Sequence, residues 1–84
     1  MAQGTIHYWA AAKAAAGTDK EPYDAATLAE ALDAARDRHG PEFAKVISVC
    51  SFVIDEEPSG TRPHDEVKLN EGGVIEVLPP FAGG

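Results

Sequence analysis

The final seven residues, Leu78-Pro79-Pro80-Phe81-Ala82-Gly83-Gly84, combine residue types that point to chemistry at the chain end itself. Two prolines stiffen the exit from an apolar segment, and the chain then runs out through residues with little or no side chain. A Gly-Gly end has no Cβ to obstruct a narrow channel and takes backbone angles closed to other residues. The Gly84 carboxylate can therefore be threaded deep into another protein's active site. A frayed tail is the common alternative at chain ends. Against it, Phe81 places an apolar ring on the tail, which reads as an anchor for a partner pocket. Gly84 is accordingly the candidate reacting residue, and Leu78, Pro80, Phe81, Ala82 and Gly83 are candidate partner contacts.

Conventional catalytic sets are missing by comparison. His7, His39 and His64 fall on a predicted strand, a helix end and a loop, without the spacing of a metal site, so solvated or helix-capping histidine is the better reading. Cys50 alternates with Phe52 and Ile54 on an apolar face and reads as a small, inert core residue. Ser51, His64 and Asp65 make a triad on paper only, since no nucleophile-elbow pattern surrounds the serine. The acidic groups around Asp55 and Asp65 flank proline-containing turns and read as solvated charge. Gly72-Gly73 has no phosphate-loop context. No cofactor is expected on this chain.

The composition narrows the classes further. With 84 residues there is room for one domain, and a chain of this size buries only about 60% of its unfolded surface. A net charge of −7 repels phosphate backbones and anionic lipid, so neither nucleic acid nor membrane is an expected partner. At 44% hydrophobic and 25% charged residues the chain is too apolar for a disordered one. A single cysteine fits a reducing compartment, and neither a membrane span nor a secretion signal is legible, so the expectation is cytoplasmic.

The elements that would hold out such a tail are legible in part. Thr5 to Ala10 reads as a strand with Ile6 and Tyr8 on one face and His7 and Trp9 on the other. The alanine run before Gly17 favours one or two helical turns, and Lys20 to Tyr23 reads as a strand antiparallel to the first. Thr27 and Glu30 form a capping box for a helix to His39, with Leu28, Ala31, Leu32 and Ala35 as its apolar stripe. Arg36, Arg38 and His39 suit the negative end of its dipole, and Gly40-Pro41 terminates it. Glu42 to Ile47 makes another short turn that buries Phe43 and Val46 or Ile47. Val49 to Asp55 is a half-buried strand; Glu56 to Gly60 is turn-like, and an edge segment near Thr61 follows, kept short by Pro58 and Pro63. After the Asn70 to Gly73 turn, Val74 to Leu78 is a final, central strand. One helix across one mixed sheet of four or five strands is an α+β solution. Residues 1–79 are the expected domain and 80–84 the expected flexible tail.

Gly17-Thr18-Asp19 after the first strand, the T-x-x-E-A-L start at Thr27, and Leu69 followed by a glycine turn, an apolar strand and a terminal PPFAGG carry a family resemblance. The chain resembles the ThiS/MoaD-like sulfur carriers, most closely the small subunit of molybdopterin synthase, from Ile6 to Gly84. PPFAGG is the specific part. The resemblance implies a ubiquitin-like β-grasp fold with the first and last strands parallel at the sheet centre. It also implies a partner resembling the ubiquitin-activating class, which uses ATP and Mg to form the Gly84 acyl-adenylate. A persulfide donor then supplies sulfur, leaving a Gly84 thiocarboxylate that enters the large synthase subunit. The chain would be no enzyme alone but the sulfur-donating subunit of a pair. Phe81 stands where the family often has a smaller aliphatic residue. A carrier serving thiamine, cysteine or another thiolated metabolite, and a ubiquitin-like modifier or interaction module, are the alternatives.

Overall fold

Strand β1 runs from Ala2 to Tyr8, starting three residues before the β-branched stretch that marks it in the sequence. The computed structural model describes residues 1–80. Gly4 explains the extension: a side chain there would collide with the Gly73 carbonyl and the Tyr23 ring, so only glycine lets these backbones approach. The strand also ends earlier than expected. Trp9 caps the alanine-rich helix α1 (Ala10–Ala16), and Ala10 takes a left-handed φ of 49° that breaks the extended run.

Strand β2 (Lys20–Ala25) returns antiparallel to β1, with Ala2 opposite Ala25 and His7 opposite Lys20. Helix α2 (Leu28–His39) begins at the expected cap: Thr27 Oγ1 accepts the Glu30 N–H at 3.3 Å. The Glu30 carboxylate accepts from Ala26 N–H at 2.9 Å, one residue before the position a capping box uses. Its stripe of Leu28, Ala31, Leu32 and Ala35 is fully inside. Gly40, at φ 90°, forms a sharp joint, and Pro41 starts helix α3 (Pro41–Ile47), which buries Phe43 and Ile47 and leaves Val46 half-buried.

Strand β3 (Ser51–Ile54) is shorter than expected. The N–H groups of Val49 and Cys50 donate back to the Val46 and Ile47 carbonyls, so both residues are held in the turn that follows α3. The segment that follows departs most from the sequence reading. Asp55 and Glu56, at φ 51° and 73°, form a two-residue hairpin turn, and strand β4 is Glu57–Pro58, opposite Ile54 and Val53. Thr61 lies in a turn instead of an edge strand. Positive φ at both central residues is the primed hairpin geometry, which Asn-Gly usually signals; Asp-Glu hides it. A short 3₁₀ turn (His64–Glu66) leads to strand β5 (Val74–Leu78).

The sheet order is β2-β1-β5-β3-β4. Strands β1 and β5 pair in parallel from Thr5 and Val74 to Tyr8 and Val77, and β3 runs antiparallel to β5. This is the ubiquitin-like β-grasp arrangement, with β5 at the centre. Ile6, Tyr8, Phe52, Ile54, Ile75 and Val77 face the helices and pack on Leu28, Leu32, Phe43 and Ile47. Among the described residues no layer covers the opposite sheet face.

Candidate functional site: the exit of the central strand

Strand β5 is hydrogen-bonded on both sides, and it delivers Leu78, Pro79 and Pro80 to one end of the sheet. Because β1 is parallel to β5, the end of β1 arrives at the same place. The Trp9 N–H donates to the Val77 carbonyl at 3.2 Å, which sets the indole beside the departing chain. Trp9, Ala10, Leu78, Pro79 and Pro80 line an apolar groove of about 300 Å³. Leu78 and Pro79 are half-buried there and Pro80 is exposed. The structure thus brings two of the expected partner contacts, Leu78 and Pro80, into one site. Phe81, Ala82, Gly83 and Gly84, the expected reacting residue, lie outside the described residues.

Trp9 is the site residue that sequence reasoning left without a role. It is 42% exposed, its Nε1–H donates to Glu76 Oε1 at 3.1 Å, and the His7 ring packs on it with centroids 4.3 Å apart. The signal was the alternation placing His7 and Trp9 on the face opposite Ile6 and Tyr8. What the pattern lacked was the parallel pairing that sets Trp9 against β5. On the open face the register aligns His7, Glu76 and Val53 in one row across three strands. Val74 projects beside them, 41% exposed. A carboxylate flanked by apolar groups is a surface for a partner that brings both a cation and an apolar element.

The other candidates separate from this site. Cys50 is half-buried, not a full core residue; its thiol donates to the Val46 carbonyl at 3.4 Å, and burial pushes its pKa up, which disfavours the thiolate. Ser51 and His64 do share a cleft of about 530 Å³ with Cys50 and Arg36. His64 packs edge-on to Phe52 with centroids 5.1 Å apart, and no hydrogen bond joins it to Ser51 or Asp65 among the described residues. His39, expected to be solvated or helix-capping, ends α2 half-buried and meets Glu21 Oε2 at 2.7 Å. The same carboxylate accepts from the Tyr8 hydroxyl and from Arg38 Nε, the latter at 3.3 Å. Burial and this bond push the Tyr8 hydroxyl well above the usual phenol range. The group joins β1, β2 and α2. Among the described residues no three His, Cys, Asp or Glu side chains are placed to hold a metal, and no helix is long and apolar enough to cross a membrane.

The sequence profile of the ThiS family matches residues 6–84, from the core of β1 through the terminal diglycine. The chain belongs to the ThiS family. Solved structures agree on the architecture. Small archaeal modifier protein 1 from Methanosarcina acetivorans is 22% identical and superposes with a TM-score of 0.85 over 100% of this chain and 98% of its own. A candidate molybdopterin converting factor, subunit 1, from Pyrococcus furiosus is 17% identical, with a TM-score of 0.79 over 96% and 100% of the two chains. Small archaeal modifier protein 1 from Haloferax volcanii is 20% identical, with a TM-score of 0.79 over 98% and 99%. At these identities the likeness is one of fold. Among curated proteins, none matches this sequence. As a ThiS-family member the chain has the fold of the sulfur carriers and ubiquitin-like small modifiers, and the described residues end at the strand exit beside Trp9 and Leu78.

Proposed function

We propose that this chain is a sulfur carrier whose Gly84 becomes a thiocarboxylate, and that it donates this sulfur as the small subunit of molybdopterin synthase. The family match reaching through Gly84 is the observation that carries the reading. A carboxylate is a poor acyl donor because oxide is a poor leaving group. Activation therefore comes from a partner resembling the ubiquitin-activating enzymes: a Gly84 oxygen attacks the α-phosphorus of Mg-bound ATP, pyrophosphate leaves, and an acyl-adenylate remains. A persulfide on a sulfur-donor protein displaces AMP, and reduction of the resulting acyl disulfide by a thiol leaves the thiocarboxylate. ATP and Mg belong to the partner's site; this chain supplies the acyl group and a surface to grip. The exit geometry suits that division, since a central strand fixes where the tail starts and glycines let it pass a narrow channel. The large synthase subunit, or another acceptor enzyme, then receives the sulfur.

The decisive measurement is intact-mass spectrometry after incubation with an activating enzyme, Mg-ATP and a sulfur source. Exchange of oxygen for sulfur adds about 16 Da, a covalent change that binding cannot mimic. Capture of a large synthase subunit with the charged chain supports the molybdopterin branch, whereas capture of another acceptor favours a thiamine or cysteine branch. A second reading has its own support in the small archaeal modifier neighbours. In it the same adenylate passes Gly84 to a lysine amine, and the product is an amide conjugate of higher mass with no added sulfur. Conjugates without the 16 Da species would replace the first reading with the second.

A further inference from the structure

Between the last turns of α2 and α3 and the β3–β4 hairpin lies a cleft of about 530 Å³, a volume in the range of small-ligand pockets, and none of its lining belongs to the strand exit. We propose that this cleft binds a small monocarboxylate with an apolar, ring-sized body, the body resting on Ile47, Phe52 and Pro58 and the carboxylate held by Arg36, Ser59 and His64.

The first support is an unspent hydroxyl. Ser59 is buried with the core, only 4% exposed, and it lines the cleft. Its backbone is engaged on both sides: the N–H donates to the Phe52 carbonyl at 2.9 Å, and the carbonyl accepts from Arg62 Nε at 3.1 Å. Its hydroxyl makes no hydrogen bond among the described residues, yet no fully enclosed side-chain nitrogen or oxygen there lacks a partner. The hydroxyl therefore keeps the small accessible surface of Ser59 and turns it to the cleft. A buried hydroxyl without a partner is costly, which points to an acceptor brought from outside the chain. Charge is the second support. The chain carries 14 Asp and Glu against 7 Lys and Arg, but no carboxylate lines the cleft and Arg36 does. One guanidinium N–H goes to Asp33 Oδ1 at 2.8 Å; Asp33 is 74% exposed, and an exposed pair at this helical spacing is weak. The remaining N–H groups form the fork that a carboxylate meets with two parallel bonds. A single guanidinium balances a single negative charge, which favours a monocarboxylate over a phosphate. His64 adds a ring, edge-on to Phe52, whose nitrogens make no hydrogen bond among the described residues. Two other polar groups of the lining are spent, since the Cys50 thiol donates to the Val46 carbonyl and the Ser48 hydroxyl to the Lys45 carbonyl. Third, the walls are set before a ligand arrives. Arg62 clasps the Ser59 and Pro58 carbonyls at 3.1 and 3.2 Å, and Ile47 and Phe52 are core residues, so little ordering remains for binding to cost. The site goes beyond the sulfur-transfer reading and does not depend on whether Gly84 is ever thiolated.

The test is a heteronuclear NMR titration of the purified full chain with sodium benzoate, run against sodium chloride at equal ionic strength. Saturable shifts are expected at the Phe52, Ser59 and Gly60 amides and at the Arg36 side-chain N–H. Benzamide has the same shape without the charge and should bind about tenfold more weakly, as should benzoate to Arg36→Gln. Ser59→Ala should weaken benzoate binding while leaving the thermal midpoint of the ligand-free chain unchanged or raised, because it removes a buried hydroxyl that has no partner. Shifts that do not saturate, or that chloride reproduces, overturn the site. Benzamide binding as well as benzoate would reduce the cleft to an apolar surface and overturn the carboxylate, and tighter binding of phenyl phosphate would overturn the choice of head group. A lowered midpoint for Ser59→Ala would show that the hydroxyl serves the fold and remove it from the site. No activating enzyme or sulfur source enters the titration, so its failure leaves the carrier chemistry untouched, and a failure to form the 16 Da species leaves the cleft untouched.

Discussion

Three hydrogen-bonding groups converge on the Glu21 carboxylate: the Tyr8 hydroxyl from β1, and Arg38 and His39 from the last turn of α2. The Glu21 side chain is only 13% exposed, so it exchanges water for these partners almost completely. Burial by itself would raise its pKa; the hydrogen bonds from Tyr8, His39 and Arg38 outweigh that, and the carboxyl titrates below its ordinary 4.5. A depressed folded-state pKa means the contribution to stability is complete above the ordinary value and is lost as pH falls through the folded one. Glu21→Gln should therefore cost about 1–3 kcal/mol at pH 7, since it weakens bonds to the buried Tyr8 and the half-buried His39. Urea titrations from pH 7 to pH 3 should show the margin of the unaltered protein over the variant shrinking below pH 4.5. Parallel pH profiles would refute this role. None of this was legible in the sequence: Glu21 sits 18 residues from His39, and only the packing of α2 against β2 brings them together. The dipole argument read His39 correctly as a helix-end residue but could not see the carboxylate waiting for it.

The β3–β4 hairpin shows what element-scale reading can and cannot reach. Alternation in Cys50 to Ile54 identified β3, but the turn carries Asp55-Glu56 where positive φ normally selects Asn or Gly, so the strand after it was expected too late in the chain. The two turn residues are left-handed for different reasons. Asp55 is held by its side chain, which accepts the Val74 N–H at 2.8 Å and the Asn70 amide at 2.6 Å. Glu56 has no such bond among the described residues, and a left-handed non-glycine residue costs about 1–2 kcal/mol. Opposite outcomes follow. Glu56→Gly should raise stability by about 0.5–1 kcal/mol through relief of that strain, offset in part by glycine's greater chain entropy. Asp55→Gly relieves the same kind of strain but gives up two exposed side-chain bonds, and should lower stability by about 0.5–1 kcal/mol. Denaturant midpoints for the pair settle it; equal shifts would mean that the side chain of Asp55 is not what holds the turn. The sheet's outer strands make a related point. In the register of β1 with β2, Pro22 lies opposite Thr5, whose own N–H is turned the other way toward Gly73, so Pro22 faces the open edge and leaves no donor there. Pro22→Val restores the donor and raises β propensity. Light scattering should then show self-association that grows with concentration, while the unaltered chain at the same concentrations does not.

At the scale of the molecule, the sequence reads as a body and a reactive end, and the structure describes the body. The buried core runs from Ile6 to Val77, and β5, the last element, is also the sheet's centre. The central position of β5 was legible because its apolar run needs cover on one face and neighbours on both sides; the groove beside Trp9 was not, because it exists only where two parallel strands end together. This division makes a joint prediction. The core of the described residues is complete between Ile6 and Val77, so deleting Gly83 and Gly84 is expected to move the thermal midpoint by no more than about 4 °C, the shift that roughly 0.5–1 kcal/mol produces in a domain this small. The same deletion should abolish the 16 Da species with the activating enzyme, Mg-ATP and a sulfur source. The association rate with that enzyme is a separate matter, governed by the net charge of −7. An acidic body steered toward a basic face should bind more slowly as salt rises from about 0.05 to 0.5 M, by tenfold or more in the on-rate and much less in the off-rate. The truncated chain keeps its charge and should show the same salt dependence. A truncated chain that is still thiolated would move the reacting group away from Gly84. Loss of the salt dependence on truncation would instead mean that steering acts through the tail and not through the acidic body.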